Sequence, residues 1–130
     1  MKVFISYGHQ DSELADYLAD RLCEAGHAVW RSEEEVLPGE NLALKVGQAL
    51  EESDAMVVLV SPESIRSQWV REEINYALGS PNYAGRVIPV LVRPTKDMPW
   101  FLRTLKAVKV GTNRDQVSKN IIDALQRTPG

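Results

Sequence analysis

One cysteine, Cys23, stands in the whole chain of 130 residues. A lone thiol closes no internal disulfide and supplies no multi-cysteine zinc site, so a reducing, cytoplasmic setting is the expected one. Positive charge is not in excess either: 15 Lys and Arg face 18 Asp and Glu, a net charge of −3. Nucleic-acid binders carry a clustered basic face, so no nucleic-acid partner is expected. No apolar run approaches the roughly 20 residues of a membrane span, and no membrane partner is expected. The opening Met1-Lys2-Val3-Phe4-Ile5 turns polar at once, which suits a strand and not a signal peptide. Internal repeats and low-complexity segments are absent.

What remains is an ordinary globular composition, 44% apolar and 25% charged, in a chain long enough for one domain with a real core. Short apolar runs alternate with amphipathic stretches. Strands are predicted at 2–6, 27–30, 54–61, 86–92 and 106–110, and helices at 11–26, 41–53, 62 to about 78, and 114–127. The run "DAMVVLVS" reads as a central strand buried on both faces. Pro89 suggests that the fourth strand is an edge or carries a bulge. The segment 31–40 holds Pro38-Gly39 and reads as a loop, and 94–105 reads as irregular or short-helical. Strand and helix in regular alternation predict an α/β fold of the flavodoxin-like type: a three-layer sandwich whose five-stranded parallel sheet has the order 2-1-3-4-5 and helices on both faces. In such sheets ligands gather at the carboxyl ends of the strands, here Ser6-Tyr7-Gly8-His9, the loop 31–40, and Ser61 onward.

The helix after Ser61-Pro62 holds an odd residue. With Trp69 at zero and about 100° per residue, Ile65, Tyr76, Ala77, Val70, Ile74 and Leu78 trace an apolar arc. Gln68, Arg71, Glu72 and Asn75 fill the water face. Glu73 falls at about 40°, inside the apolar arc, with Arg66 on the same stripe. The bland explanation is an Arg66–Glu73 pair at the margin of the core. Burial raises a carboxylate's pKa and a guanidinium lowers it, so the pattern leaves the sign of any shift open. A carboxylate held partly inside a pocket is also a frequent form of catalytic group.

The segments "KVFISYGHQDS", "LPG" and "ALEESDAMVVLVSPESIRSQWVREEI" together resemble a Toll/interleukin receptor (TIR) domain of bacterial type, across essentially the whole chain. The most specific parts are Phe4-Ile5-Ser6-Tyr7 and the spacing Ser67, Trp69, Glu73. The resemblance implies one of two functions. One is an NAD+ glycohydrolase or cyclase acting at the nicotinamide–ribose bond, activated by self-assembly in bacterial immunity. The other is a non-catalytic module that pairs with like domains. It places Glu73 as the catalytic carboxylate and Ser6, Tyr7, Gly8, His9, Arg31, Ser61 and Trp69 around the substrate. Leu37, Pro38 and Gly39 would cover the site or contact a neighbouring domain. NAD+ is then a substrate, with no further cofactor and no metal. Ser67 is expected to cap the helix, and Cys23, Trp30, Trp69 and Trp100 to serve packing.

Two features complicate the transfer. Many members of the family it resembles carry an acidic residue soon after the second strand, where this chain has Trp30-Arg31-Ser32. An unbroken helix from Pro62 would also carry Glu73 roughly 15 Å beyond the strand end, so a break near Ser67 is predicted. A nucleoside deoxyribosyltransferase-like enzyme shares a similar sheet and a catalytic glutamate and stays open. A phospho-receiver lacks support, since the first strand does not end in an acidic pair, and the glycine fingerprint of a dinucleotide-binding Rossmann domain is missing. The ending "QRTPG" would suit a linker into another domain.

Overall fold

The computed structural model describes residues 1–96, 98–103, 105, 107–111 and 113–127. The expected start of the last strand at Lys106 and the linker-like end at 128–130 lie outside the described residues. Five strands, β1 (Lys2–Ser6), β2 (Ala28–Arg31), β3 (Ala55–Val60), β4 (Val87–Leu91) and β5 (Val108–Lys109), form one sheet in the order β2-β1-β3-β4-β5. Every pairing is parallel. Helices α1 (Ser12–Glu24), α2 (Leu42–Glu52), α3 (Pro62–Arg66), α4 (Gln68–Gly79), α5 (Trp100–Arg103) and α6 (Arg114–Arg127) flank it. This is the predicted flavodoxin-like sandwich.

The period of two along each strand builds two cores. Val3, Ile5, Val57, Leu59 and Val90 meet Leu14, Leu18, Leu22, Ile121 and Leu125 of α1 and α6. Phe4, Met56, Val58 and Val60 meet Val46 and Leu50 of α2, Ile65 of α3, and Val70, Ile74 and Ala77 of α4. Strand β3 is buried along its whole length, as its unbroken apolar run requires.

Pro89 does not mark an edge: β4 lies between β3 and β5. The reason is directional. Val92 N donates to Val60 O on the β3 side, and Leu91 O accepts from Val110 N on the β5 side. Donor direction alternates along a strand, so Pro89 turns its missing N–H toward β5. The β4–β5 register begins one residue later, at Val90, and the proline interrupts no ladder bond.

Three further expectations need correction. Cys23 is exposed and not in the core, because α1 turns its Leu14–Leu18–Leu22 stripe inward and Cys23 lies off that stripe. Trp100 is 70% exposed at the start of α5 and not buried in the core. The segment 31–40 is not loop throughout, since Ser32–Glu35 winds into a short 3-10 turn.

Tyr83 is fully buried, and its hydroxyl donates to the Leu50 carbonyl at 2.8 Å, tying the loop before β4 to α2. Burial pushes its phenol well above the ordinary tyrosine value. Tyr83→Phe leaves that buried carbonyl without its donor. The expected loss is about 1–2 kcal/mol of unfolding free energy, read as a lower urea midpoint with an unchanged slope.

Candidate active site

The site is assembled by a helix that stops and restarts. Ser61 caps α3 through a reciprocal pair: its hydroxyl accepts from Ser64 N at 3.1 Å, and its own N–H donates to Ser64 Oγ at 2.9 Å. Pro62 follows at the first helical position, where its missing N–H costs nothing. The helix ends at Arg66. Ser67 takes an extended conformation, φ −74° and ψ 118°, and its hydroxyl accepts from Val70 N at 3.3 Å to start α4. The break predicted near Ser67 is therefore present, and it returns Glu73 to the sheet.

Glu73 is 2% exposed. Ser6 Oγ donates to its Oε1 at 2.7 Å, and Ser32 Oγ donates to its Oε2 at 2.8 Å. Ser6 is the last residue of β1 and shares a face with Phe4, toward α4; Ser32 directly follows β2. Two strand ends and one helix thus converge on a single carboxylate. Ser32 holds φ at 39°, a left-handed conformation that costs a non-glycine residue about 1–2 kcal/mol. Glu72, by contrast, is exposed and accepts from Gln68 Nε2 at 3.3 Å. The two adjacent glutamates face opposite media, as the helical wheel predicts. The Arg66–Glu73 pair does not form, since Arg66 opens instead onto a separate cleft beside the loop after β4.

Among the other expected site residues, the structure brings some close and turns others away. Trp69, one turn before Glu73, packs half-buried against the α2/α4 core, and its indole N–H is buried with no acceptor among the described residues. Gly8 lies where the loop after β1 crosses α3: an added Cβ would meet Gln10 Oε1 at 3.3 Å and Ser64 Cα at 3.4 Å. His9 is exposed in the next turn. The Tyr7 ring sits in the opposite core, with Ile5 and Leu14, because it is one residue out of phase with Ser6. Arg31 directs its guanidinium to Glu35 and Asp16, and the bond to Glu35 raises its pKa. Ser61 is spent on the α3 cap. Leu37, Pro38 and Gly39 form a tight turn closed by Glu40 N donating to Leu37 O at 3.1 Å, with Gly39 at φ 89° where only glycine rests without strain. Leu37 itself is 66% exposed.

Sequence reasoning missed Ser32 as a site residue, although its place at the carboxyl end of β2 was a usable signal. It also missed a clamp formed across 82 positions of sequence: Arg93 Nη1 donates to Asp11 Oδ1 at 2.9 Å, and Arg93 Nη2 to Glu63 Oε2 at 2.7 Å. The clamp ties together the chain after β1, β3 and β4, which frames the site. Among the described residues no three His, Cys, Asp or Glu side chains are grouped to hold a metal, and no helix is long and apolar enough to cross a membrane.

The family model for the TIR domain matches residues 3–125. The chain is 29% identical over 96 residues to the 2′ cyclic ADP-D-ribose synthase BtTIR of Bacteroides thetaiotaomicron, covering 72% of this chain and 33% of that protein. It is 26% identical over 98 residues to the NAD(+) hydrolase PdTIR of Paracoccus denitrificans (strain Pd 1222), covering 73% and 32%. The chain thus spans about a third of the length of these curated relatives. A solved metazoan TIR-STING receptor from C. gigas, in complex with 2′,3′-cGAMP, superposes with a TM-score of 0.78 at 27% identity, over 96% of this chain and 39% of that one.

The Arg93 clamp has a pH signature. The hydrogen bond from Arg93 is the main cause holding the Glu63 carboxyl below its ordinary value. A depressed folded-state pKa means stability that is present above the unfolded-state value and lost as pH falls through the folded one. Arg93→Gln should melt below wild type at neutral pH, and the gap should narrow as pH drops toward about 4. A gap that widens on acidification would contradict the clamp.

Proposed function

Since the chain belongs to the TIR domain family, we propose that it cleaves NAD+ at the nicotinamide–ribose bond, with Glu73 as the catalytic carboxylate. The observation that carries the proposal is a glutamate 2% exposed, gripped by serine hydroxyls at the carboxyl ends of two parallel strands. A carboxyl group at such a place is costlier to bury than an apolar side chain with apolar neighbours, and is a frequent form of functional group. The names of the two bacterial relatives support the same chemistry.

The reaction asks little of the protein. The ribose C1′–N bond breaks with its electron pair moving onto nicotinamide, which leaves neutral, so no general acid is needed. Positive charge grows on the ribose ring, and the Glu73 carboxylate is the group that stabilises it or holds the ribose hydroxyls. Water adding to C1′ and losing a proton gives ADP-ribose; attack by a nucleophile of the same molecule gives a cyclic isomer. The indole N–H of Trp69, one turn from Glu73 and without an acceptor among the described residues, is a donor that the ligand would reach once the site opens.

Glu73 as described is sealed, with a serine on each oxygen. Ser32 is the movable half of that seal, because its left-handed backbone stores strain that is released when the segment turns outward. A substrate ribose hydroxyl then takes the place of Ser32 Oγ. The same segment leads into exposed Leu37, which would let contact with a second copy hold the loop open in bacterial immune signalling. The second reading, a non-catalytic interaction module, is favoured by that seal and by the exposed turn.

Nicotinamide release should be measured at high protein concentration, in free and forced assemblies. Glu73→Gln is expected to reduce it by about 100-fold or more, and Glu72→Ala to leave it within roughly twofold. Silence of the wild-type chain under every condition would sink the enzyme reading. Ser32→Gly relieves the strain and removes one bolt from Glu73, and should raise release on the order of fivefold, the equivalent of about 1 kcal/mol.

A further inference from the structure

The break at Ser67 leaves a backbone carbonyl without its helical donor. In an uninterrupted helix the Ile65 carbonyl would accept from Trp69 N–H; here Arg71 Nε donates to it. That bond pins the Arg71 guanidinium against the end of α3, while Nη1 and Nη2 make no hydrogen bond among the described residues. Arg66, the last residue of α3, and Lys96, in the chain after β4, line the same cleft of about 360 Å³. No carboxylate is among its described lining residues, and neither Arg66 nor Lys96 is ion-paired among the described residues. The contrast is local: Arg21, Arg31, Arg93 and Arg114 are each paired with an acid.

We propose that this cleft is a second ligand site, for a small molecule bearing a pyrophosphate group. Three cations facing one cavity in a chain of net charge −3 repel one another unless a counter-charge joins them. The volume falls in the small-molecule range and suits a nucleotide-sized ligand. Arg71 presents a planar fork already fixed by its bond to Ile65, so little side-chain freedom is lost when phosphate oxygens bind. Lys96 supplies a mobile point charge opposite. Thr95 Oγ1 donates to the Arg93 carbonyl at 3.0 Å, so recognition rests on charge and not on that hydroxyl. Ile65, Pro62 and Pro94 offer apolar surface for a sugar or base.

The cleft is separate from the Glu73 site. Arg71 lies on the outer arc of α4, roughly 200° around the helix from Glu73, which points inward to the sheet. Its occupancy is therefore independent of whether Glu73 is catalytic.

The test is calorimetric titration of the whole chain with inorganic pyrophosphate at constant ionic strength, with orthophosphate in parallel. Saturable binding of pyrophosphate, tighter than orthophosphate, is expected. The double variant Arg66→Gln/Lys96→Gln should weaken it by about tenfold or more, whereas Arg66→Lys and Glu73→Gln should bind as wild type. Both altered side chains of the double variant are exposed, and its circular dichroism should match the parent. The proposal is overturned by the absence of saturable binding, by binding that the double variant leaves intact, or by loss in Glu73→Gln. It is also overturned if pyrophosphate fails to bind but the chain self-associates through Arg66 and Lys96, since the cleft would then hold an acidic protein face.

Discussion

A carboxylate can sit against the end of a sheet only if something replaces the water it gives up, and here two serine hydroxyls do so. Ser6 and Ser32 each supply one donor to one oxygen of Glu73. Much of the local architecture serves those two bonds. The helix must stop at Arg66 and restart at Gln68 so that Glu73 reaches β1, and Ser67 must cap the restart. Ser32 must accept a left-handed backbone so that its hydroxyl turns inward. Removing any of these parts would take a donor from a buried carboxyl group, which costs more than the bond itself contributes.

The same arrangement creates a tension between stability and chemistry. The bonds that make Glu73 tolerable also engage both of its oxygens, so the proposed reaction requires one of them to be given up. The strain sits on the segment that would have to move, and the opposite wall is held on both sides: β1 pairs with β2 and β3, and its Ser6 has no exposed surface. The Arg93 clamp reinforces the fixed side by joining the chain after β1 to the start of α3 and to the chain after β4.

Ser32 donates directly to Glu73, a bond that an ionised carboxylate at the same place could not make. The Arg31 guanidinium, one residue earlier, is paired with Glu35 and Asp16.

Periodicity made the broad fold legible without any structure. Alternating runs of period two and 3.6 gave the strands, helices and sheet order, and the 100° wheel separated Glu73 from Glu72 before any neighbour was known. The helix break followed from length alone, as a distance that an unbroken helix could not close. Other features lay beyond such patterns. The family resemblance sets Tyr7 near the pocket, yet a phase shift of one residue puts its ring in the other core. Pro89 was judged against strand position without knowing that its missing donor points where the ladder has not begun. The partners of Glu73 come from 67 and 41 residues away, and Asp11 meets Arg93 across 82. Local pattern decides which face of an element is buried, because that follows from backbone geometry. Which distant hydroxyl or guanidinium then meets a buried acid depends on how the elements dock, and only the assembled tertiary structure decides that.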